Sequence, residues 1–252
     1  MNDNRNIYET VEFDNWAYRE GLGYEEKFLI EKYLNKDLRT LEAGTGGGRI
    51  ILEMKNLGFT SLQAYDYLPG FIEQAKKKDS TGSIYFEVED ATDLSYKDCS
   101  FDQILYLQQL ISSIDGADNK LKALKEAYRI LKQGGTALFS FLSFESRVRE
   151  PLYMPYLAYL LMFRKLLRIN RSMQYLPWLK LGGKLNFFSL LDRAPYVYWY
   201  KMQEAYTLLK QVGFEVVAFG SGYQISEASL YSKLDSGKNQ PIKGGIYFVC
   251  TK

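Results

Sequence analysis

Residues 41–49 read Leu-Glu-Ala-Gly-Thr-Gly-Gly-Gly-Arg, a glycine-rich stretch that leaves a strand-like run and opens an apolar helical pattern. Glycines in such a turn let the backbone bend tightly and approach a ligand without a Cβ in the way. The helix that follows adds unpaired N–H groups and the positive end of its dipole. The stretch therefore predicts a ligand site where a strand ends and a helix begins.

Around this loop, short apolar runs typical of strands alternate with helical patterns. The predicted strands are 38–43, 59–66, 83–88, 101–107 and 136–142, and the predicted helices are 50–57, 69–78 and 117–131. Gly134 and Gly135 are expected to end the last of these helices in a left-handed cap. An amphipathic leading helix is predicted at 18–34, and the pattern returns at 201–211, 214–219 and 245–250. Such alternation predicts crossover units and a parallel sheet.

Length and composition indicate one folded domain that carries an insertion. Of the 252 residues, 46% are apolar and 25% are charged, which suffices for a large core. We divide the chain into an N-terminal helical cap at 1–37, a core at 38–144, an insertion at 145–200 and the rest of the core at 201–252.

The counts of a few residue types exclude several classes of protein. Histidine is absent, which excludes imidazole triads and histidine-based zinc sites. Cys99 and Cys250 are too few and too far apart for a disulfide framework or a metal knuckle, so we expect no metal and a reducing cytoplasm. A net charge of +2 gives no general field for nucleic acid. The first residues are polar rather than signal-like, and no apolar run approaches the ~20 residues of a membrane-spanning helix.

The glycine loop resembles that of a known cofactor-binding family. Glycines at 44, 46 and 48, preceded by Glu42, resemble the acidic-x-Gly-x-Gly-x-Gly loop of class I S-adenosylmethionine-dependent methyltransferases. A dinucleotide fingerprint would instead need glycine where Arg49 stands. An acidic side chain here would also repel a pyrophosphate but suits an ammonium group. The resemblance implies S-adenosylmethionine as cofactor, S-adenosylhomocysteine as product, and a cofactor contact from Glu42, Gly44, Thr45, Gly46 and Gly48.

Further along, acidic residues follow the second and third predicted strands. Asp66 lies about 20 residues past the loop, where a carboxylate can accept both ribose hydroxyls, and Tyr67 follows it. The segment 87–92 resembles the adenine-binding segment of the same family. By position, the resemblance assigns Asp90 to the exocyclic amine and the Ala91 N–H to the ring, with Glu89 as an alternative acceptor.

The resemblance covers about residues 38–142 and 201–251. The fold that the resemblance implies is α/β and Rossmann-like: a doubly wound, mostly parallel seven-stranded sheet with helices on both faces. In this chain we expect an aromatic-rich helical insertion after the fifth strand. Residues 101–107 resemble the fourth strand of that fold, whose end faces the transferred methyl group. Tyr106, Leu107 and Gln108 are therefore implied to line the cofactor. Relatives that methylate quinones or sterols carry histidines just after this strand, and residues 107–111 have none, which leaves the substrate open.

The insertion at 145–200 carries twelve aromatic residues, and no strand is evident in it. Its run 151–163 is almost wholly apolar and is followed by Arg164, Lys165, Arg168 and Arg171. We favour a helix that covers the core with a solvated basic end, and a lid or a membrane-surface contact through 151–171 are the alternatives. A lid over the carboxyl edge of the sheet would close on the methyl acceptor, and its arginines could bind a carboxylate or phosphate there. The candidate lid residues are Trp16, Tyr18, Tyr153, Tyr156, Trp178 and Tyr198.

These observations predict methyl transfer from S-adenosylmethionine to a small apolar or aromatic molecule. No catalytic residue is assigned; if a base is needed, Asp192 and Glu145 are candidates within the insertion. A nicotinamide-dependent reductase is the first alternative, because it shares the strand, the glycine loop and Asp66. A non-catalytic module that binds S-adenosylmethionine or a membrane surface is the second. Neither the acceptor nor the oligomeric state follows from the sequence.

Overall fold

Eleven strands and eleven α-helices are seen in the computed structural model, which describes residues 4–234 and 240–252. From the N-terminus to the fifth strand they are α1 (Asn4–Glu9), α2 (Phe13–Ala17), α3 (Tyr24–Tyr33), β1 (Thr40–Ala43), α4 (Arg49–Asn56), β2 (Leu62–Asp66), α5 (Pro69–Lys78), β3 (Tyr85–Val88), β4 (Phe101–Tyr106), α6 (Leu110–Ser113), α7 (Ala117–Ile130) and β5 (Leu131–Phe141). The rest are α8 (Phe144–Arg149), α9 (Met154–Leu166), β6 (Tyr175–Pro177), β7 (Lys180–Leu181), β8 (Lys184–Leu185), a 3-10 helix (Phe187–Leu191), β9 (Tyr196–Tyr198), α10 (Met202–Val212), β10 (Glu215–Ser221), α11 (Gly222–Ser226) and β11 (Ile246–Thr251).

Seven of the strands form one sheet in the order β10-β11-β5-β4-β1-β2-β3. The five strands from β5 to β3 are parallel, and β11 runs antiparallel to both of its neighbours. This confirms the predicted Rossmann-like, mostly parallel seven-stranded sheet. Since β1, β2, β3 and β4 are parallel, the residues that follow them meet at one edge of the sheet.

Helices cover both faces of this sheet, so its central strands are buried on both sides. On one face the core includes Leu124 of α7 and Leu209 of α10. On the other face it includes Ile30 of α3, Ile50 of α4 and Ile72 of α5. Burial on both faces explains why the run at β4 is nearly continuous in apolar residues rather than alternating.

The predicted role of Gly134 and Gly135 as a helix cap is wrong. Helix α7 ends at Ile130, and β5 begins at the next residue. Gly134 has φ +75° inside the strand, and a Cβ on Gly135 would lie 2.8 Å from the carbonyl oxygen of Asp102. The two glycines therefore allow the irregular backbone at the start of the β4–β5 pairing, where the register between the strands shifts.

The leading helix is shorter than predicted. It begins at Tyr24 instead of residue 18, because Gly23 is its N-cap and donates its N–H to the carboxylate of Glu26 at 2.7 Å. Two short helices, α1 and α2, precede it. This N-terminal segment lies against the glycine loop, as described below.

The insertion differs from its prediction in two respects. Two short antiparallel pairs, β6 with β9 and β7 with β8, occur where no strand was expected; strands of two or three residues are too short to show an alternating pattern. Helix α9 does not cover the sheet core either. Its buried residues Leu157 and Leu160 form a separate small cluster with Leu176. No helix within the described part of the chain is long and apolar enough to cross a membrane.

Candidate functional site

The glycine loop connects β1 to α4 through three left-handed positions. Gly44, Gly46 and Gly48 have φ of +64°, +54° and +83°. Gly48 is the N-cap of α4. These conformations are strained for any residue with a Cβ, which explains the spacing of glycines in the sequence.

The N-terminal segment approaches the glycine loop most closely at Gly47, the one glycine that the motif does not require. Its N–H donates to the carbonyl oxygen of Trp16 at 3.1 Å. A Cβ on Gly47 would lie 2.0 Å from the carbonyl oxygen of Ala17. The N-terminal segment is thus packed directly on the loop, a contact that the motif alone does not reveal.

Asp66 fixes the position of this loop relative to the next strand. Its two carboxylate oxygens accept hydrogen bonds from the N–H groups of Gly46 at 2.9 Å and Leu68 at 3.1 Å. The side chain is buried, and burial raises its pKa to about 6 in spite of these bonds. The carboxylate is therefore mostly ionised near neutral pH.

A cavity of about 310 Å³ lies at this edge of the sheet. It brings together the following predicted site residues: Gly44, Gly46, Asp66, Tyr67, Asp90, Ala91, Leu107, Gln108 and Trp16, with Glu89, the alternative to Asp90. Tyr8, in the N-terminal segment for which the sequence suggests folding over the cofactor or packing on the sheet, also lines it. Sequence reasoning did not assign the rest of the lining to the site: Asn4, Arg5, Tyr65, Phe71, Thr92, Leu110, Ser113, Ile114, Asp115 and Asn119.

Four predicted cofactor residues do not line the cavity: Glu42, Thr45, Gly48 and Tyr106. Glu42 is buried, and its Oε2 accepts from the Thr45 hydroxyl at 2.6 Å and the Ile51 N–H at 3.1 Å. Tyr106 is also buried and accepts a hydrogen bond from the Tyr65 hydroxyl at 2.9 Å. Glu42 and Thr45 thus support the loop from within the protein.

Burial has a strong effect on Glu42. It raises the pKa of this carboxyl to about 8, while the Thr45 hydrogen bond and the charge of Arg49 act in the opposite direction. Its second oxygen, Oε1, is buried without a hydrogen-bond partner. The carboxyl beneath the loop is therefore largely protonated near neutral pH.

The charged side chains of the cavity are mainly acidic: Asp66, Glu89, Asp90 and Asp115, against Arg5. Asp90 Oδ1 accepts from the N–H and hydroxyl of Thr92, both at 2.8 Å, and the carboxylate of Glu89 accepts from the Ser95 hydroxyl. A cavity with this balance favours a ligand that carries positive charge.

Asn4 connects the N-terminal cover of the cavity to two distant parts of the chain. Its amide nitrogen lies within hydrogen-bond distance of the Ser113 carbonyl at 2.9 Å, the Asp115 carboxylate at 3.0 Å and the Tyr196 carbonyl at 3.2 Å. The first two follow β4, and the third belongs to the insertion. Asn4 is buried, so these contacts close one side of the cavity.

Tyr8 and Trp16 form the wall between this cavity and a second one. The Tyr8 hydroxyl donates to Ser113 Oγ at 3.3 Å, and its ring meets those of Trp16 and Trp178 edge to face. Burial raises the pKa of Tyr8 to about 12. At neutral pH Tyr8 is therefore a neutral group that can donate or accept a hydrogen bond.

The second cavity, of about 280 Å³, shares Tyr8, Trp16, Gln108 and Ser113 with the first. Most of its remaining lining comes from the insertion and includes three predicted lid residues, Tyr153, Tyr156 and Trp178. Arg147, Leu176 and Trp199 also line it. The two cavities are therefore neighbours.

The other two predicted lid residues lie elsewhere. Tyr18 is 55% exposed on the surface, beneath the ammonium group of Lys78. The Tyr198 hydroxyl donates to the carboxylate of Glu204, and its ring faces the Lys120 ammonium. Neither residue lines either cavity.

The turn after β4 holds two consecutive residues in the left-handed region. Gln108 has φ +55° and Gln109 has φ +58°, and neither is glycine. The Gln109 N–H donates to Ser140 Oγ at 2.9 Å, which helps to hold the turn. Strain of this kind costs about 1–3 kcal/mol per residue and is typical of functional sites. It places Gln108 in the lining of both cavities.

The candidate bases in the insertion have structural partners. Asp192 is buried and accepts from Arg164 at 2.7 and 2.9 Å and from Arg171 at 2.9 Å. Glu145 accepts from the Met202 N–H at 3.0 Å. Neither lines either of the two cavities, and Arg164 and Arg171 form ion pairs with Asp192 inside the insertion. Among residues 4–234 and 240–252, no group of three His, Cys, Asp or Glu could hold a metal ion.

Comparison with known proteins gives one family match. A family model described as a methyltransferase domain matches residues 41–139, which span β1 to β5. This range includes the glycine loop, Asp66 and the segment after β3. No curated protein sequence matches the chain.

Solved structures share the architecture. A SAM-dependent methyltransferase from Methanosarcina mazei is 23% identical, with 89% of this chain and 96% of that chain covered and a TM-score of 0.65. A protein from Pyrococcus horikoshii OT3 is 17% identical, with 98% of both chains covered and a TM-score of 0.61. A possible histamine N-methyltransferase from Thermotoga maritima is 21% identical, with 98% and 99% covered and a TM-score of 0.58. At these identities the likeness establishes the fold.

Proposed function

We propose that the chain is a class I S-adenosylmethionine-dependent methyltransferase that methylates a small apolar or aromatic molecule; a family model described as a methyltransferase domain matches its residues 41–139. The observation that carries this proposal is the pair of adjoining cavities at the carboxyl edge of the sheet. One is acidic and follows the glycine loop; the other is aromatic and is formed largely by the insertion.

The first cavity suits S-adenosylmethionine, whose sulfonium and ammonium groups are positive and whose only anionic group is a carboxylate. Its four acidic side chains complement such a ligand. The same charges would repel the pyrophosphate of a nicotinamide dinucleotide. A nicotinamide-dependent reductase is therefore disfavoured by the charge of the site as well as by Arg49.

We assign roles in the cofactor site as follows. Asp66 accepts the ribose hydroxyls with the lone pairs that remain beside its bonds to the loop. Asp90 and Ala91 bind the adenine, and Leu107 and Gln108 lie beside the reacting methyl group. Gly44, Gly46 and Tyr67 complete the lining, and the buried Glu42, Thr45, Gly48 and Tyr106 support it from beneath.

When bound, S-adenosylmethionine would supply a methyl group: a bond would form between the acceptor atom and the methyl carbon, the carbon–sulfur bond would break with its electron pair staying on sulfur, and a proton carried by the acceptor atom would be released to solvent after transfer. The positive charge of the sulfonium disappears in this step, so exclusion of water assists it. Tyr8 and Trp16 supply this exclusion by closing the boundary of the two cavities. Tyr8 stays protonated near neutral pH and positions the acceptor rather than taking its proton.

Titration calorimetry with S-adenosylhomocysteine tests the cofactor site, and methyl release from labelled S-adenosylmethionine onto a panel of aromatic acceptors tests the reaction. We expect micromolar binding of the product. Failure of the wild-type protein to bind it, together with binding of NADH in a fluorescence titration, would overturn the proposal.

We also propose that the insertion contacts an anionic membrane surface. Helix α9 exposes Leu161, Met162 and Leu166 by 55, 72 and 82%, and the adjoining 3-10 helix exposes Phe187 and Phe188 by 74 and 60%. We call these five residues the lid apolar surface.

Two hydrogen bonds keep the elements of this surface together: Tyr156 donates to the Ser189 carbonyl at 3.1 Å and Tyr159 to the Leu190 carbonyl at 2.6 Å. Lys165, Arg168, Lys184 and Arg193 are exposed on the same segment. Between residues 151 and 193 the one acidic residue, Asp192, is buried. An exposed apolar surface among basic residues suits anionic lipid headgroups. Such a contact is compatible with a cytoplasmic enzyme, the location that the free Cys99 and Cys250 favour.

A further inference from the structure

The second cavity differs from the first in the sign of its charge. The charged residues in its lining are Arg147 and Lys180, and it has no Asp or Glu in its lining. Lys180 is exposed at the edge, whereas Arg147 is mostly buried, with 16% of its side chain exposed. Burying an arginine in an aromatic cavity costs free energy, because the charge loses its hydration, so we expect a compensating interaction.

Arg147 is held in place mainly by aromatic rings. Its guanidinium carbon lies 3.7 Å from the centre of the Tyr153 ring and 4.0 Å from that of the Trp199 ring. These contacts fix the plane of the guanidinium without using its N–H donors. The group is therefore positioned in advance for an anion.

The hydrogen bonding of Arg147 is incomplete. Its Nη1 donates to Glu150 at 3.1 Å, but the side chain of Glu150 is 47% exposed and so contributes little. Its Nε is buried and has no hydrogen-bond partner. Buried donors without a partner are rare in folded proteins and call for an explanation such as a ligand.

Three more donors of the same kind lie in the residues around this cavity. The indole nitrogens of Trp16, Trp178 and Trp199 are buried without a hydrogen-bond partner, and all three residues line the cavity. They are the three tryptophans of the chain. A cavity whose lining combines unpartnered N–H groups with a cation is matched to a ligand rich in acceptor atoms.

Two other arginines of the insertion are already engaged, and Arg149, Arg168 and Arg193 are exposed on its surface. Arg164 and Arg171 both bind the buried Asp192, and neither lines the cavity. Arg147 thus provides the positive charge deep in the lining.

We propose that the second cavity binds the methyl acceptor and that this acceptor is an aromatic or flat apolar molecule with a carboxylate, which Arg147 binds. This proposal rests on the proposed function, since it names the substrate class of the same site. The planar, forked guanidinium matches the two oxygens of a carboxylate. The aromatic walls take the apolar part, and because the two cavities share Tyr8, Trp16, Gln108 and Ser113 in their linings, an acceptor in the second lies next to the cofactor in the first.

Three probes with one ring system test the charge preference: 1-naphthoate, the neutral 1-naphthamide and 1-naphthyl phosphate. Binding is followed by quenching of tryptophan fluorescence with S-adenosylhomocysteine at saturation. Every tryptophan of the chain lines this cavity, and saturation with S-adenosylhomocysteine keeps the first cavity, which Trp16 also lines, occupied throughout. In the wild type we expect naphthoate to bind at least about tenfold more tightly than naphthamide.

Arg147→Gln should remove this preference for the carboxylate, and Arg147→Lys should restore part of it. Arg149→Gln is the matched control, since Arg149 is exposed on the same helix and does not line the cavity. Circular dichroism verifies that each variant is folded. If Arg147→Gln does not fold, the comparison of naphthoate with naphthamide in the wild type alone decides the proposal.

Equal binding of naphthoate and naphthamide in the wild type, or an unchanged preference in Arg147→Gln, would overturn the proposal. Tighter binding of naphthyl phosphate would overturn the assignment to a carboxylate. Calorimetry with S-adenosylhomocysteine alone separates these results from failure of the proposed function: an enzyme that binds the product but does not prefer the carboxylate contradicts only the acceptor class.

Discussion

The carboxylate of Asp66, at the end of β2, accepts a hydrogen bond from the N–H of Gly46, in the loop that follows β1, at 2.9 Å. The bond joins the two turns that form the floor of the first cavity. A residue proposed to bind the ribose therefore also holds the glycine loop in place.

Replacing Asp66 is expected to abolish most of the cofactor binding. Asp66→Ala removes the proposed acceptor of the ribose hydroxyls and leaves the Gly46 N–H without its partner, so affinity for S-adenosylhomocysteine should fall by at least about tenfold. Titration calorimetry measures this. Asp98→Ala, at a side chain that is 76% exposed, is the control and should bind like the wild type. Equal affinities in all three proteins would contradict the role of Asp66.

Cofactor binding should also depend on pH through the same residue. The pKa of Asp66 in the free protein is raised to about 6 by burial, so the acceptor form is lost as pH falls through that value. Affinity for S-adenosylhomocysteine is expected to drop by up to about tenfold for each pH unit below about 6. Asp66→Asn, whose side chain does not titrate, should bind more weakly and show a flatter profile. A wild-type profile as flat as that of the variant would refute the expectation.

Glu42 should make the protein less stable as pH rises. Its pKa is raised from 4.5 to about 8, so the folded state binds more protons than the unfolded state between these values. The free energy of unfolding must therefore decrease with rising pH over this range, by the linkage relation. In Glu42→Gln this part of the decrease should be missing. Urea unfolding of both proteins at about pH 5 and about pH 9 gives the change in the free energy of unfolding between these pH values. The same change in wild type and variant would show that Glu42 does not cause the decrease.

Gly47→Ala is expected to separate the N-terminal segment from the loop. The new Cβ would lie 2.0 Å from the Ala17 carbonyl oxygen, so the backbone must move at a cost of about 1–3 kcal/mol. Cleavage of the segment by trypsin should become faster and cofactor affinity should fall. Gly82→Ala is the control: it has φ +62° and would strain the backbone, but its Cβ would meet nothing within 4 Å. The same rates of cleavage in the two variants would argue against the contact.

Membrane contact predicts a loss of vesicle binding when the lid apolar surface becomes charged. Leu161→Asp with Leu166→Asp should weaken cosedimentation with vesicles of phosphatidylglycerol and phosphatidylcholine by at least about tenfold. Val217→Asp, at a side chain that is 45% exposed on β10, is the control. Binding should also fall with salt and with vesicles of phosphatidylcholine alone. A dimer in light scattering that the double variant abolishes, with no binding to vesicles, would assign the surface to a second copy instead.

The features that the sequence predicted well are local ones. Gly44, Gly46 and Asp66 could be located because a glycine loop and an acidic strand end are neighbours in sequence as well as in space, and their chemistry restricts what they can do. The burial of β4 follows in the same way from its nearly continuous apolar run.

Other features depend on contacts that sequence patterns do not encode. Glu42 lies beside the loop in sequence whether its side chain faces the ligand or the core, and the choice is made by its hydrogen bonds to Thr45 and Ile51. Asn4 meets Tyr196 across 192 positions. Arg147 belongs to a run of many basic residues, and only the rings of Tyr153 and Trp199 distinguish it from the others.

The wall formed by Tyr8 and Trp16 has a thermodynamic consequence. Because each cavity is bounded by the same two rings, a shift of those rings on binding in one cavity changes the free energy of binding in the other. Such coupling is reciprocal: the factor by which the cofactor changes the affinity for the acceptor equals the factor by which the acceptor changes the affinity for the cofactor. Whichever of the two ligands moves these rings, each therefore changes the affinity for the other in the same direction and by the same factor.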